Sequence, residues 1–596
     1  MVRLNLFLPV IQRAGEHAEG SSSVPGHERA RRLFRLLGRT WAASPVRRLT
    51  QAVCLVSFVA LLFIVSWPYG SPRYAEHFAA KESVPAESFL VLDPLVSVST
   101  ALAARAWVWS LWWAGAALLV CLVFPRGFCG YVCPLGTLME LCDWVAGRRV
   151  KRFRLEGRGW WVHLRYYLLA GTLVASALGV LLTGFVAAIP LLTRGLLLLL
   201  QPLQIGLLKG AYLVPPLNAG HYVSAALFFV VLSLGLLQPR FWCRSLCPTG
   251  ALFSWASVFR LSERKVISSC IECGRCARVC PFDAIKADFT TRHANCTFCQ
   301  TCGGVCPTGS IQFVGRWTAV NERSWEGAPS QEVDLSRRGF LVSSVGAAGA
   351  AVGIERLCGA NLGSPSGVLP VRPPGSVPEK EFLQLCIRCG QCFQVCPNNV
   401  LQPVGFEQGL EGLWTPQAVA NWSGCEPSCN NCGQVCPTGA IRALPLDEKR
   451  VARMGLAVVD KQTCLPHAGR EACQLCVDDC KAAGYNAIEF VRVGTETDAD
   501  GLPLEGAGFL APVVLPGKCN GCGLCQTRCY RINAKEKGLL RESAIRVEAG
   551  AGKEDRLTKG SYVGLREQER KRREADLQKR MREEGATADY LPDFLK

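Results

Sequence analysis

The stretch Cys270-Ile-Glu-Cys273-Gly-Arg-Cys276-Ala-Arg-Val-Cys280-Pro281 decides how the rest of the chain is read. Cysteines so closely and regularly spaced cannot be satisfied by local disulfides of relaxed geometry. They suit metal ligands. The same spacing returns at Cys296, Cys299, Cys302 and Cys306, again followed by proline, at Pro307. Two such runs make the bacterial two-cluster ferredoxin pattern, in which three close thiolates cap one cubane and the fourth, past a turn, reaches the neighbouring one. One [4Fe-4S] cluster is therefore expected on Cys270, Cys273, Cys276 and Cys306, and another on Cys296, Cys299, Cys302 and Cys280. Zinc is the competing reading, but its ligands usually come as paired C-x2-4-C units, without a repeated run ending in proline.

The pattern recurs downstream at Cys386, Cys389, Cys392 and Cys396, before Pro397, and at Cys425, Cys429, Cys432 and Cys436, before Pro437, the latter with one extra residue. Two looser sets follow: Cys464, Cys473, Cys476 and Cys480, with a widened first gap, and Cys519, Cys522, Cys525 and Cys529. Carrying the same exchange through gives four more sets. Cys436 joins Cys386, Cys389 and Cys392; Cys396 joins Cys425, Cys429 and Cys432; Cys529 joins Cys464, Cys473 and Cys476; Cys480 joins Cys519, Cys522 and Cys525. Echoes such as Pro-Thr-Gly-Ser-Ile at 307–311 and Pro-Thr-Gly-Ala-Ile at 437–441 point to repetition of one unit. The six sets use 24 of the 32 cysteines in the 596-residue chain, and closely placed cubanes make a path for single electrons.

An apolar fraction of 49% exceeds what one core can hold and gathers in long runs. Four stretches, at 49–68, 106–124, 166–189 and 222–238, meet the roughly 17–25 residues that a helix needs to cross a bilayer. A fifth run at 191–209 carries Arg194, Pro202 and Lys209, so an interfacial or re-entrant helix is expected there. The net charge of +18 is explained by Arg-rich blocks beside these runs, without a nucleic-acid partner. Arg29 to Arg48 and Arg148 to Arg154 mark the cytoplasmic side, and Trp107, Trp109, Trp112, Trp113, Trp160 and Trp161 stand where interfacial aromatics belong.

Two further pairs, Cys129-Gly-Tyr-Val-Cys133-Pro134 and Cys243-Arg-Ser-Leu-Cys247-Pro248, follow the second and fourth spans. Their spacing puts both thiols of a pair on one helical face. A thiol redox site, a soft-metal site, part of a quinol pocket and plain burial at a turn all remain open for them. Cys54, Cys121, Cys142 and Cys358 fit no pattern and read as small packing residues. Glu140, His163, Tyr166 and Tyr167 could serve a quinol pocket or merely anchor span ends.

Between the cluster regions stands Ser336-Arg337-Arg338-Gly339-Phe340-Leu341, followed by a short Gly/Ala-rich run to Gly353. Twin arginines before a run of that length match an export signal for folded proteins, the route a domain that must first fold round its clusters needs. The expected organisation is a basic segment 1–48, a four-helix membrane domain 49–248, a cytoplasmic two-cluster domain 262–315, an internal twin-arginine signal 336–358, a periplasmic four-cluster domain 381–550 and a charged tail 551–596. The fold class is an α-helical membrane domain joined to α+β ferredoxin-like domains. No C-x-x-C-H and no G-x-G-x-x-G after a strand is present, so no terminal catalytic site is seen and the acceptor is expected to be another protein.

Residues 49–315, with their spans, C-x3-C-P pairs and two-cluster segment, resemble the NapH family of quinol dehydrogenase membrane subunits. Residues 336–530 resemble the NapG/MauM family of twin-arginine ferredoxins. The whole is similar to a NapH–NapG fusion, which implies a multi-pass protein of the bacterial inner membrane. It would take electrons from the quinone pool and pass them through six [4Fe-4S] clusters to a periplasmic redox partner of the nitrate-reductase type. By position, Cys129, Cys133, Cys243 and Cys247 match the membrane pairs of that family. The fusion departs from the family in making the export signal internal. The pairs and the two-cluster domain also resemble the copper-reducing CcoG type, and MauM/MauN-like proteins are associated with methylamine dehydrogenase maturation, so a metal-reducing or cofactor-maturation role is the alternative.

Overall fold

The computed structural model describes residues 43–66, 87–145, 163–208, 214–323, most of 341–349, 369–494 and 508–583. Arg337 and Arg338 of the expected export signal, the basic segment before residue 43, Trp160, Trp161 and Cys358 lie outside the described residues.

The membrane half comprises α1 (Pro45–Ser66), α2 (Pro94–Ala104), α3 (Leu111–Val123), α4 (Pro134–Val145), α5 (Leu164–Ala177), α6 (Ala188–Leu208), α7 (Ala219–Ser233) and α8 (Pro248–Ala256). Local chemistry sets their starts. Asp93 caps α2 by accepting from Leu95 N, with Pro94 at the first helical position. Asn218 and His221 form a reciprocal capping box on α7. Gly179, at φ +92°, turns the chain just after α5.

Among the described residues three helices are long and apolar enough to cross a membrane: Pro45–Ile64, Ala188–Leu207 and Ala219–Leu236. Two coincide with the first and fourth expected spans. The second and third expected spans are shorter, with 13 residues in α3 and 14 in α5. The run expected to be interfacial or re-entrant is instead one continuous helix, α6. By length it is a candidate span, yet it lies against the C-terminal cluster region along much of its length, through Arg194, Leu198 and Gln204. Trp107, Trp109, Trp112 and Trp113 are exposed, as are Leu119 and Val120 of α3. Such an apolar outer surface suits lipid contact.

The cluster-bearing parts are built from short helices and two-stranded antiparallel sheets. β1 (Ser262–Val266) pairs with β2 (Ile311–Gly315), closing the 270–306 unit. In the C-terminal part, β3 (Leu401–Pro403) pairs with β4 (Pro416–Ala418), β5 (Leu456–Val459) with β8 (Ile545–Glu548), and β6 (Ile488–Val493) with β7 (Phe509–Val514). The charged tail forms α9 (Tyr562–Glu583). Its first turn is pinned by buried Tyr562 and by Glu448, which accepts from Tyr562 N at 2.5 Å.

The two cluster regions dock at opposite ends of the apolar helices. At one end Arg47 near the start of α1 reaches Thr301 Oγ1 (3.4 Å), Arg165 at the start of α5 donates to Asn295 Oδ1 (2.7 Å), and Leu261 N donates to Leu122 O at the end of α3 (2.7 Å). At the other end Arg388 donates to Leu181 O after α5 (2.8 Å), and Trp414 Nε1 donates to Gly220 O at the start of α7 (2.7 Å). Arg194 of α6 completes that second contact, lying 3.7 Å from the Trp414 ring and donating to Arg388 O. Since α5 has 14 residues, the ends it joins are separated by about 21 Å of helix.

Candidate functional site

The ligand loops are wound by paired left-handed residues. Glu272 and Gly274 flank Cys273, Phe298 and Gln300 flank Cys299, Arg388 and Gly390 flank Cys389, and Gly521 and Gly523 flank Cys522, all at positive φ. At Gly274 an added Cβ meets nothing within 4 Å, so conformation and not space favours glycine there. The sets beginning at Cys425 and Cys464 carry extra residues and lack this pairing: Asn430 and Gln474 have φ of −127° and −123°.

Four cavities each meet four cysteines. One is lined by Cys270, Cys273, Cys276 and Cys306, and its neighbour by Cys280, Cys296, Cys299 and Cys302. A third meets Cys386, Cys389, Cys392 and Cys436, and a fourth Cys464, Cys473, Cys476 and Cys529. In each, the last cysteine of one run has crossed to its partner run. The remaining sets also converge: Cys432 lies within charge range of Cys396, Cys425 and Cys429, and Cys525 of Cys480, Cys519 and Cys522. Burial pushes Cys296, Cys429 and Cys522 up to about 12. Holding such thiols as anions is costly unless a cationic core lies between them, which is what an iron–sulfur cluster supplies.

The sets form a line. The 386 and 425 sets touch through Cys392 and Cys432, which pack on one apolar cluster. Cys425 N donates to Cys522 O at 2.7 Å, joining the 425 and 519 sets. Cys525 of the 519 set and Cys476 of the 464 set are buried in one apolar cluster.

Several supporting residues have no motif to reveal them. Buried Arg264 lines both cavities of the 270–306 unit and is fixed by Phe289 O (3.0 Å) and Thr291 Oγ1 (2.8 Å). Buried Lys449 faces Cys425, Cys429 and Cys432 and is held by Glu426 O. Backbone N–H groups of Ala284, Ile441 and Ala487 donate to the sulfurs of Cys280 (3.3 Å), Cys436 (3.5 Å) and Cys480 (3.2 Å). Donors and cations of this kind stabilise anionic sulfur and tune its potential.

The membrane pairs also meet. Each occupies one turn of π-helix, Phe128–Val132 or Trp242–Leu246, in place of the expected α-helical face, and ends in an extended Cys before the Pro that starts α4 or α8. Cys247 is within charge range of Cys129, Cys133 and Cys243, and all four belong to one apolar cluster. Of the polar groups considered for a quinol pocket, Glu140 is occupied by ion pairs with Arg47, Arg48 and Arg240, and Tyr166 accepts from Arg165 (3.0 Å). Of the unpatterned cysteines, Cys121 is buried, while Cys54 and Cys142 are half-buried.

Comparison with known proteins agrees with this chemistry. A family described as a 4Fe-4S binding domain matches residues 105–152, an LdpA Fe-S cluster-binding domain matches 239–291, and a 4Fe-4S dicluster domain matches 385–440. The methylamine utilization ferredoxin-type protein MauM of Methylorubrum extorquens is 34% identical over 38% of this chain and 97% of its own length. MauM of Methylophilus methylotrophus is 35% identical over 30% of this chain and 74% of its own length. The ferredoxin-type protein NapG of Escherichia coli is 37% identical over 32% of this chain and 80% of its own length. No solved structure matches. A chain that spans most of these relatives' length and matches iron–sulfur domain families belongs to the MauM/NapG family of ferredoxin-type proteins and is an iron–sulfur electron-transfer protein.

Proposed function

We propose that the protein takes electrons from quinol in the bacterial inner membrane and passes them, one at a time, through six [4Fe-4S] clusters to a periplasmic reductase of the nitrate-reductase type. In this reading the chain fuses a NapH-type membrane subunit to a NapG-type ferredoxin, and the six ligand sets are those given above. The observation that carries it is the docking of two cluster regions at opposite ends of one set of apolar helices. The Gly/Ala run after Arg338 lies between the two cluster regions in the sequence. The linear order of the sets supports the same reading, because it leads away from the membrane domain toward the 464 set.

The test is to add a short-chain quinol to the anaerobic, oxidised full-length protein and follow the clusters by electron paramagnetic resonance. Reduced signals are expected from both regions, with the C-terminal ones lost when Cys389 and Cys392 are changed to Ser. Complete inertness toward quinol, with dithionite still reducing every cluster, contradicts quinol as the donor. The methylamine-utilization relatives favour a second reading, in which the same path supplies electrons for cofactor maturation. Neighbouring reductase or amine-dehydrogenase genes separate the two.

A further inference from the structure

We propose that Cys129, Cys133, Cys243 and Cys247 hold a seventh iron–sulfur cluster inside the membrane domain, and that it relays electrons between the two docked regions. The relay part rests on the transmembrane reading above. The site itself rests on geometry.

The two halves of the site are copies. Pro125-Arg-Gly-Phe-Cys-Gly-Tyr-Val-Cys-Pro-Leu-Gly136 repeats as Pro239-Arg-Phe-Trp-Cys-Arg-Ser-Leu-Cys-Pro-Thr-Gly250. Arg126 and Arg240 both adopt positive φ, at 51° and 53°, and each is fully buried. Each reaches across to the other copy: Arg240 donates to Cys129 O (2.9 Å) and Arg126 to Cys243 O (3.4 Å). The glycines keep this exchange possible, since a Cβ at Gly136 would stand 3.0 Å from Arg240 Nη1 and one at Gly250 3.1 Å from Arg126 Nη2.

Charge then asks for an anion. Arg47, Arg126 and Arg240 are buried, and among the described residues Glu140 pairs with Arg47 and Arg240 as well as with Arg48. Asp93, the other buried carboxyl near Cys129, accepts from Thr249 Oγ1 (3.2 Å) and Leu95 N (3.1 Å). The Nε atoms of Arg126 and Arg240 have no hydrogen-bond partner among the described residues. A cluster on four thiolates is anionic and takes N–H donors on its sulfurs, so it meets both demands. Among the described residues no three His, Cys, Asp or Glu side chains close on a single metal ion. A cubane, with one thiolate on each of four irons, needs no such closure.

Position makes the site a relay. Phe282, which follows Cys280 and Pro281, is buried with its ring 4.7 Å from the Arg240 guanidinium and 5.6 Å from that of Arg126. It also lines the cavity of Cys280, Cys296, Cys299 and Cys302. On the other side, the apolar cluster that includes Cys133, Cys243 and Cys247 extends through the membrane domain to Ile387 and Cys389 of the C-terminal region. The cluster would gain one electron from a reduced neighbour and return to its oxidised state on passing it onward, with no bond or proton change. Two such passages carry the electrons of one quinol, whose two protons are released where it is oxidised.

Iron and acid-labile sulfide in the anaerobically purified full chain decide the site without reference to quinol. About 28 irons are expected, against about 24 for six clusters alone. The double variants Cys129→Ser/Cys133→Ser and Cys243→Ser/Cys247→Ser should each lose about four irons and one paramagnetic centre, with the other six still reduced by dithionite. The same variants should slow quinol-driven electron flow between the two regions at least tenfold. Overturning results are a wild type with only about 24 irons, or zinc or copper at the quartet in place of iron. Loss of the centre with unchanged flow between the regions overturns the relay. A wild type inert to quinol but carrying the seventh centre sinks the donor assignment and leaves the site standing.

Discussion

Replacing Cys280 by Ser is expected to strip iron from the cluster of Cys296, Cys299 and Cys302 and to spare that of Cys270, Cys273, Cys276 and Cys306. Proximity along the chain alone would join Cys280 to its own run, since it is only four residues beyond Cys276, whereas the two-cluster pattern assigns it to the other. The structure turns Cys280 away from its own run: it lines the cavity of the second run, its sulfur accepts from Ala284 N (3.3 Å), and Cys306 takes its place in the first cavity. Loss of about four irons is expected, together with one of the two paramagnetic signals of this unit. Selective loss of the signal tied to Cys270, Cys273 and Cys276 contradicts the exchange.

Changing Glu140 to Gln is expected to lower stability by about 3–5 kcal/mol, the usual cost of removing one partner from a buried ion pair. Glu140 is buried and faces Arg47, Arg48 and Arg240, with Arg240 at 2.8 Å. The glutamine keeps the shape but leaves those cations without their carboxylate. Arg47 also donates to Gly130 O (3.2 Å) and reaches Thr301 Oγ1, so the damage should concentrate where the 270–306 unit meets the membrane domain. A lower melting temperature and faster proteolysis of the 270–306 unit are the readouts. An unchanged melting temperature contradicts the role given to Glu140.

The convergence of each run's last cysteine on its partner run was legible because cysteine spacing is local and the Cys-Pro step bends the chain away after it. The two C-x3-C-P pairs themselves were legible from their spacing after apolar runs. Their helical geometry was not, because a π-turn and an α-turn share the same residue spacing. Arg126 and Arg240 could not be singled out either: in a chain of 66 Lys and Arg they look like two more flanking charges, and only the fold shows them crossing. Glu140 looked free to serve a quinol because its arginine partners lie about 90 to 100 residues away in the chain. Span lengths were read too long for α3 and α5, since apolar residues continue past the points where Ser110 and Gly179 interrupt the helices. Trp414 carried no signal at all, and its contacts with Arg194 and Gly220 need tertiary structure to exist.

Transfer from one face of the membrane to the other stands or falls on where the two cluster regions lie. Reporter fusions after residue 320 and after residue 545, each repeated with Arg337 and Arg338 both changed to Lys, measure this directly. The account predicts a cytoplasmic reporter at the first site and a periplasmic one at the second, lost in the Lys variant. A cytoplasmic reporter at both sites of the unmodified protein contradicts it and leaves an electron-storage or maturation protein confined to one face.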